Sequence, residues 1–206
     1  MKNITKRITL FVFVAITLVA CTKEEDVAVA PFKALIFSQN FEAHPYGSGA
    51  TEIPINLTNW VNYNTTNTRI WNCKLFSNNR YAEFSSFYSA TGTTDNTWLI
   101  SGPLDFTKTS NETLLFSTKT RFSNGAELKV LVSTNYDGTQ AGLATATWTQ
   151  VNATMPSADD VFTSSGLINL SAFEGTNVRI AFKYEGSKLT NKTTTFQLDD
   201  IKLYEN

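Results

Sequence analysis

Val178-Arg179-Ile180-Ala181-Phe182-Lys183-Tyr184 is the stretch on which the fold turns. Successive side chains of an extended strand point to opposite faces. The alternation therefore puts Val178, Ile180, Phe182 and Tyr184 on one side and Arg179, Ala181 and Lys183 on the other, the pattern of a half-buried strand. Downstream, residues 195–204 read as a further strand. Upstream, residues 166–170, 146–151, 126–134 and 112–121 read in the same way. Ser123-Asn124-Gly125 sits between the last two and predicts a hairpin. The first half offers strands over 34–42, 60–63, 69–76, 81–84 and 97–101, separated by a Pro/Gly loop over 44–54 and a second loop over 91–96. Residues 135–142 are rich in turn formers, and 155–165 is an irregular crossover. No amphipathic helix and no internal repeat interrupts the series. About ten short strands at this spacing predict an all-β chain, an antiparallel β-sandwich of jelly-roll type.

Composition agrees. Aromatic residues make up 13% and charged residues only 17% of the 206 residues, with Thr, Asn and Ser filling the gaps, the mixture of an extracellular β domain with polar loops. The 17 basic residues less Lys2, Lys6 and Arg7 leave 14 against 18 acidic ones beyond residue 20, a balance of −4. That balance gives no basic stripe for nucleic acid.

The amino terminus reads as an address. Lys2, Lys6 and Arg7 precede an apolar run from Ile8 to Val19, too short for the roughly 20 residues of a membrane span. Leu18-Val19-Ala20-Cys21 then resembles the bacterial lipobox, whose cysteine is lipidated and becomes the first residue. Residues 1–20 are thus expected to be a lipoprotein signal peptide, residues 21–31 a lipidated cysteine with its acidic tether, and residues 32–206 the sandwich domain. Lys23-Glu24-Glu25-Asp26 resembles the tag that places some lipoproteins on the outer face of the outer membrane. The expected location is the outer membrane, at the cell surface, held through lipid on Cys21. With Cys21 acylated, Cys73 is left alone, and a buried, inert thiol is expected there.

The order of several motifs is recognisable. Asn40-Phe41-Glu42 and Trp60 come first, then Thr97-Trp98-Leu99-Ile100-Ser101-Gly102-Pro103. Leu128 to Gly138, Trp148-Thr149, Ile168 to Tyr184 and Leu198-Asp199-Asp200-Ile201 follow. Together they resemble the choice-of-anchor J domain family, which is similar to cleaved-adhesin and MAM modules, over nearly all of residues 32–206. Phe196 and Phe162 stand where that family tends to carry tryptophan. The resemblance implies a jelly roll and a surface binding role. It also implies calcium between the first and last strands, with Asn40 and Glu42 brought toward Asp199 or Asp200. Hard oxygen ligands of this kind suit calcium. The alternative is an inward aspartate that accepts backbone N–H bonds and pins the closing strand.

Other candidates are weaker. Asn135-Tyr136-Asp137-Gly138 is better read as a turn than as a calcium loop. The single histidine, His44, is expected to be an exposed loop residue. No nucleophile elbow, zinc helix or phosphate loop occurs. Glu42, Glu83, Asp95 and Asp105 are undistinguished as paired acids for glycoside hydrolysis. Among the aromatics, Trp60, Tyr63 and Tyr88 lie among Asn and Thr and suit the stacking and hydrogen bonding of sugar rings. The sequence is read as a non-catalytic, lipid-anchored lipoprotein binding an extracellular glycan or another polymer. A protein-binding adhesin or accessory subunit is the second reading, and a glycan hydrolase the third.

Overall fold

The computed structural model describes residues 33–205. The expected signal peptide, the expected lipid-bearing Cys21 and the expected tether lie outside the described residues. The chain forms twelve strands: β1 (Ala34–Gln39), β2 (Val61–Asn64), β3 (Asn72–Phe76), β4 (Asn79–Phe84), β5 (Thr94–Ile100), β6 (Thr113–Arg121), β7 (Glu127–Ser133), β8 (Thr149–Val151), β9 (Thr163–Ser164), β10 (Ile168–Asn169), β11 (Arg179–Ser187) and β12 (Thr195–Glu205). Single 3₁₀ turns occupy Ser86–Tyr88 and Ala141–Ala144.

The strands build two antiparallel sheets. One runs β10-β6-β12-β4-β3, with β1 also on β12 and β9 on β6; the other runs β2-β5-β11-β7-β8. The expected all-β sandwich is therefore what forms. The decisive stretch lies in the middle of the five-stranded sheet, where β11 pairs β5 on one side and β7 on the other. Its alternation separates two packing environments. Ile180, Phe182 and Tyr184 face the main core between the sheets, against Trp71, Phe84 and Phe116. Ala181 faces a second cluster on the opposite side of the same sheet.

One local expectation fails. Asn124-Gly125 does not close a hairpin, because β6 belongs to the seven-stranded sheet and β7 to the five-stranded one. The reason is side-chain chemistry. Asn124 Oδ1 accepts the Thr193 N–H at 2.6 Å, and Asn124 Nδ2 donates to Thr193 Oγ1 at 2.8 Å. Its own backbone N–H donates to Thr194 Oγ1 at 2.8 Å. These bonds fasten the turn to the neighbouring crossing instead of to a partner strand. The segment expected as a strand over 146–151 shrinks to β8 because Trp148 turns inward onto the second cluster. The crossover over 155–165 contributes β9, whose two residues pair with Ser117 and Thr118.

β12 is the longest strand and changes neighbours along its length. Phe196 to Leu198 pair with β4, while Ile201 to Glu205 pair with β1. Asp199 and Asp200 stand at the changeover, where the β12–β6 register also shifts.

Candidate functional site

Of the connections that cross between the two sheets, three meet at one end of the sandwich: β4 to β5, β6 to β7 and β11 to β12. They are laced together. Tyr184 Oη accepts the Ser86 N–H at 3.1 Å and donates to the Thr194 carbonyl at 3.0 Å. Ser85 Oγ donates to the Thr193 carbonyl at 2.6 Å. The crowding demands glycine at position 186, where a Cβ would lie 2.5 Å from Tyr184 Oη and 2.7 Å from Ser86 Oγ.

A groove of about 390 Å³ lies over this knot, lined by Phe87, Tyr88, Phe122, Asn124, Asn191, Thr193 and Thr195. The volume is in the range of small-ligand sites. Phe87 is 56%, Tyr88 60% and Phe122 71% exposed, so three aromatic rings at one end of the sandwich face water. Phe87 and Tyr88 stand perpendicular with centroids 5.2 Å apart. Polar groups beneath them are spent on the crossings, as Asn124 and Thr193 show, whereas the Asn191 amide makes no hydrogen bond among the described residues. Phe87, Phe122 and Asn191 were not singled out from the sequence. Phe87-Tyr88 held a signal, since adjacent aromatics cannot both enter one core from a strand. Phe122 held another, standing immediately before Ser123-Asn124-Gly125.

The other two aromatic candidates lie elsewhere. Trp60 is half-buried on Phe37 at 5.9 Å, and Tyr63 packs on the second cluster. Both line a hollow in which the Asn62 amide is engaged by the Ile55 and Trp71 backbones, whereas the Asn56 side chain makes no hydrogen bond among the described residues. The second cluster is covered by residues 135–148. There Trp148 lies 5.1 Å from Trp98 and 5.3 Å from Tyr136. Trp98 Nε1, Trp148 Nε1 and Tyr136 Oη have no hydrogen-bond partner among the described residues. Burial pushes the Tyr136 hydroxyl up to about 12.

The aspartate pair divides at a bulge, where Asp200 takes φ 50° and the β12–β6 register shifts. Asp199 is buried; Asp200 is exposed and meets Lys202 at 3.4 Å. Asp199 Oδ2 accepts from Asn79 Nδ2 at 2.9 Å and Oδ1 from the Asp200 N–H at 2.7 Å. Burial pushes its carboxyl up to about 6; these two bonds oppose the shift, and the charges of Asp200 and Glu42 add to it. Asn40 Oδ1 accepts the Glu42 N–H at 3.3 Å, and Glu42 Oε1 accepts the Arg80 N–H at 2.9 Å. The Arg80 guanidinium donates to the Glu42 and His44 carbonyls. The four residues do not converge as one set: Asp199 and Glu42 share a corner, and Asp200 turns away. Among the described residues, no three His, Cys, Asp or Glu side chains gather in a metal-binding arrangement.

His44 corrects an expectation. It is buried, with Nδ1 2.6 Å from the Pro45 carbonyl and Nε2 accepting the Asn56 N–H at 2.9 Å. A loop spanning 44–54 needs an internal tie, and the ring supplies it. The acids considered for hydrolysis are engaged locally: Glu83 with Gln197 at 2.8 Å, Asp95 with Asn64 at 2.8 Å, Asp105 with Thr107 and Lys108. Asp137 closes its turn by accepting from Thr139. Cys73 is fully buried, and burial pushes its thiol up to about 11, away from the thiolate.

Among solved structures, the K1 cleaved adhesin domain of Lys-gingipain from Porphyromonas gingivalis W83 is 13% identical, with a TM-score of 0.50 over 82% of this chain and 98% of that one. The K3 cleaved adhesin domain of the same protein is 16% identical, with a TM-score of 0.50 over 84% and 100%. The CBM22-1 xylan-binding domain of Paenibacillus barcinonensis Xyn10C is 11% identical, with a TM-score of 0.47 over 85% and 97%. At such identities the likeness is one of fold. No curated protein matches the sequence. Residues 51–203 match the model of the domain of unknown function DUF5017, and the chain belongs to that family.

Proposed function

We propose that this chain is a non-catalytic, lipid-anchored binding module of the choice-of-anchor J type, which holds an extracellular glycan in the groove of Phe87, Tyr88 and Phe122. The exposure of three aromatic rings beside the unengaged Asn191 amide carries the reading. An apolar side chain left in water has no folding benefit, and a flat ring beside an amide matches the C–H faces and hydroxyls of a sugar. A non-catalytic role is supported by the local engagement of Glu83, Asp95 and Asp105 and by the structural tie of His44. Hydrolysis needs an acid and a base poised near a common substrate.

The test is titration of the protein against plant, host and microbial glycans. Saturable binding without release of reducing ends is expected, and Phe122→Ala should weaken it about tenfold. Absence of any glycan hit, with capture of a protein partner through the same groove, would favour the adhesin reading. Lipid attachment at Cys21 rests on the lipobox resemblance. Cys21→Ser should leave an unprocessed precursor or a protein freed from membranes, since stable anchoring needs the acyl chains. Normal processing with an unchanged membrane fraction would remove the anchor from this reading.

A structural calcium ion belongs to the same proposal. Asp199 and Glu42 would hold it, with Asn40 fixing the backbone between them and Asp200 lending charge from outside. A buried carboxylate pushed up to about 6 beside a second acid supports the assignment, because a cation there would relieve both burial and repulsion.

A further inference from the structure

The groove carries a charge pattern that narrows its ligand. Each of its three rings has a cation over it: Lys188 Nζ 4.0 Å from the Phe87 centroid, the Arg69 guanidinium 5.2 Å from Tyr88 and the Arg121 guanidinium 5.2 Å from Phe122. Two are neutralised, Arg69 by Glu52 and Arg121 by Asp160. Lys188 has no ion-pair partner among the described residues, and neither has Lys192, four residues on in the same crossing. Lys192 lines an adjoining hollow with Glu127 and Glu185, but those carboxylates already meet Lys129. Lys183 engages Glu185 as well. Among the described residues, no acidic side chain lines the groove itself. An acidic chain thus presents a local positive surplus where three of its open aromatic rings line one groove.

We propose that the ligand is an anionic glycan, a polymer containing uronic acid, whose sugar faces stack on Phe87 and Phe122 while a carboxylate meets Lys188. The inference rests on the glycan reading above and narrows its ligand class. A neutral sugar would leave the Lys188 ammonium without a counter-charge. A carboxylate on the ring gives it one, and the amide of Asn191 remains for a hydroxyl.

The experiment is calorimetric titration of the full-length protein in detergent with a galacturonic acid hexamer, a neutral galactose hexamer and poly-glutamate of equal charge. The uronate is expected to bind at least tenfold more tightly than either control. Lys188→Gln should reduce uronate affinity three- to tenfold and leave the neutral sugar unchanged, and the double variant Lys188→Gln/Lys192→Gln should erase the preference. Raising NaCl from about 50 to 500 mM should weaken only uronate binding, as screening of an exposed pair requires. Equal binding of the two hexamers, with Phe122→Ala still weakening both, would overturn the anionic class and leave the glycan reading standing. Equal binding of poly-glutamate would overturn it too, by showing that charge without a sugar face suffices. Binding of neither hexamer would defeat both readings together.

Discussion

Two aromatic clusters in this molecule have opposite fates. Trp98 and Tyr136 are buried and Trp148 is half-buried against them, with two indole N–H groups and a phenol left without partners among the described residues. Phe87, Tyr88 and Phe122 lie open over a knot in which Tyr184, Asn124 and Ser85 satisfy one another's neighbours. The first cluster accepts a polar cost in order to bury area; the second leaves area exposed above a hydrogen-bonded knot in which the Ser86 hydroxyl lacks a partner among the described residues. Burying an aromatic side chain contributes about 1.5–3 kcal/mol, so the exposed rings forgo a comparable benefit. The contrast separates residues that hold the fold from residues available to a ligand.

The largest test of that division is Trp98→Ala. Trp98 is 7% exposed and packs against Trp148 and beneath Lys183. Removing it should cost about 3 kcal/mol, the low end for a large aromatic because an unpartnered N–H is removed with it. At this chain length Tm should fall by about 10 °C. Trp98→Phe should lose less than about 1 kcal/mol, since it discards the N–H and keeps most of the area. Ligand affinity of the folded fraction should not change in either variant. A tenfold loss of affinity in Trp98→Phe would mean that the covered cluster is part of the binding surface.

Next in size is the Asp199 corner, measured by equilibrium unfolding in chelator. The carboxyl is pushed up to about 6 from an ordinary 3.8. A raised acid binds its proton more tightly in the folded state, so stability falls as pH rises from about 4 toward 6 and stays low above it. A gap of this size is on the order of 3 kcal/mol, and partial relaxation should leave about 1–2 kcal/mol to be measured between pH 5 and 7.5. Asp199→Asn should flatten this dependence and be the more stable protein at pH 7.5. Added calcium should stabilise the wild type alone and abolish its pH dependence, if the ion binds Asp199 and Glu42. A wild type indifferent to calcium leaves Asp199 as a strand-pinning group, held by Asn79 and the Asp200 N–H.

How much of this was readable in the sequence depends on what sets each feature. Period-2 alternation depends on local geometry, so β11, β6 and β7 were legible, and with them the two-sheet architecture. Strand destination was not. Asn124-Gly125 has the composition of a hairpin turn, and only its bonds to Thr193 and Thr194, some seventy residues away, send β7 to the other sheet. The burial of His44 is equally non-local, fixed by the Asn56 N–H. Tyr88 was legible as a surface aromatic by its polar neighbours. Its partners Phe87 and Phe122 are assembled by crossings distant in sequence, and no spacing rule joins them. Trp60 and Tyr63 had the same composition around them but pack on Phe37 and on the covered cluster.

Within the open cluster, Tyr88→Ala and Phe122→Ala should each weaken ligand binding about tenfold, equivalent to about 1.4 kcal/mol, and shift unfolding by less than about 0.5 kcal/mol. Tyr63→Ala should do the reverse, leaving affinity unchanged while lowering stability through its contact with the covered cluster. An affinity loss in Tyr63→Ala equal to that in Tyr88→Ala would join the two regions into one surface and break the division.

The smallest effect is also the most discriminating, because it separates a side chain's ligand role from its backbone role. Asn191 has φ 56°, in the left-handed region where Asn and Gly are tolerated and Ala is strained. Asn191→Ala therefore removes the amide and adds backbone strain of about 1 kcal/mol, whereas Asn191→Gly removes the amide without that strain. If the amide hydrogen-bonds the ligand, both variants should lose about threefold in affinity, and only the alanine variant should lose stability. If Asn191 serves the β11–β12 crossing alone, the glycine variant should bind as tightly as the wild type. Any affinity loss in the alanine variant would then track its unfolding.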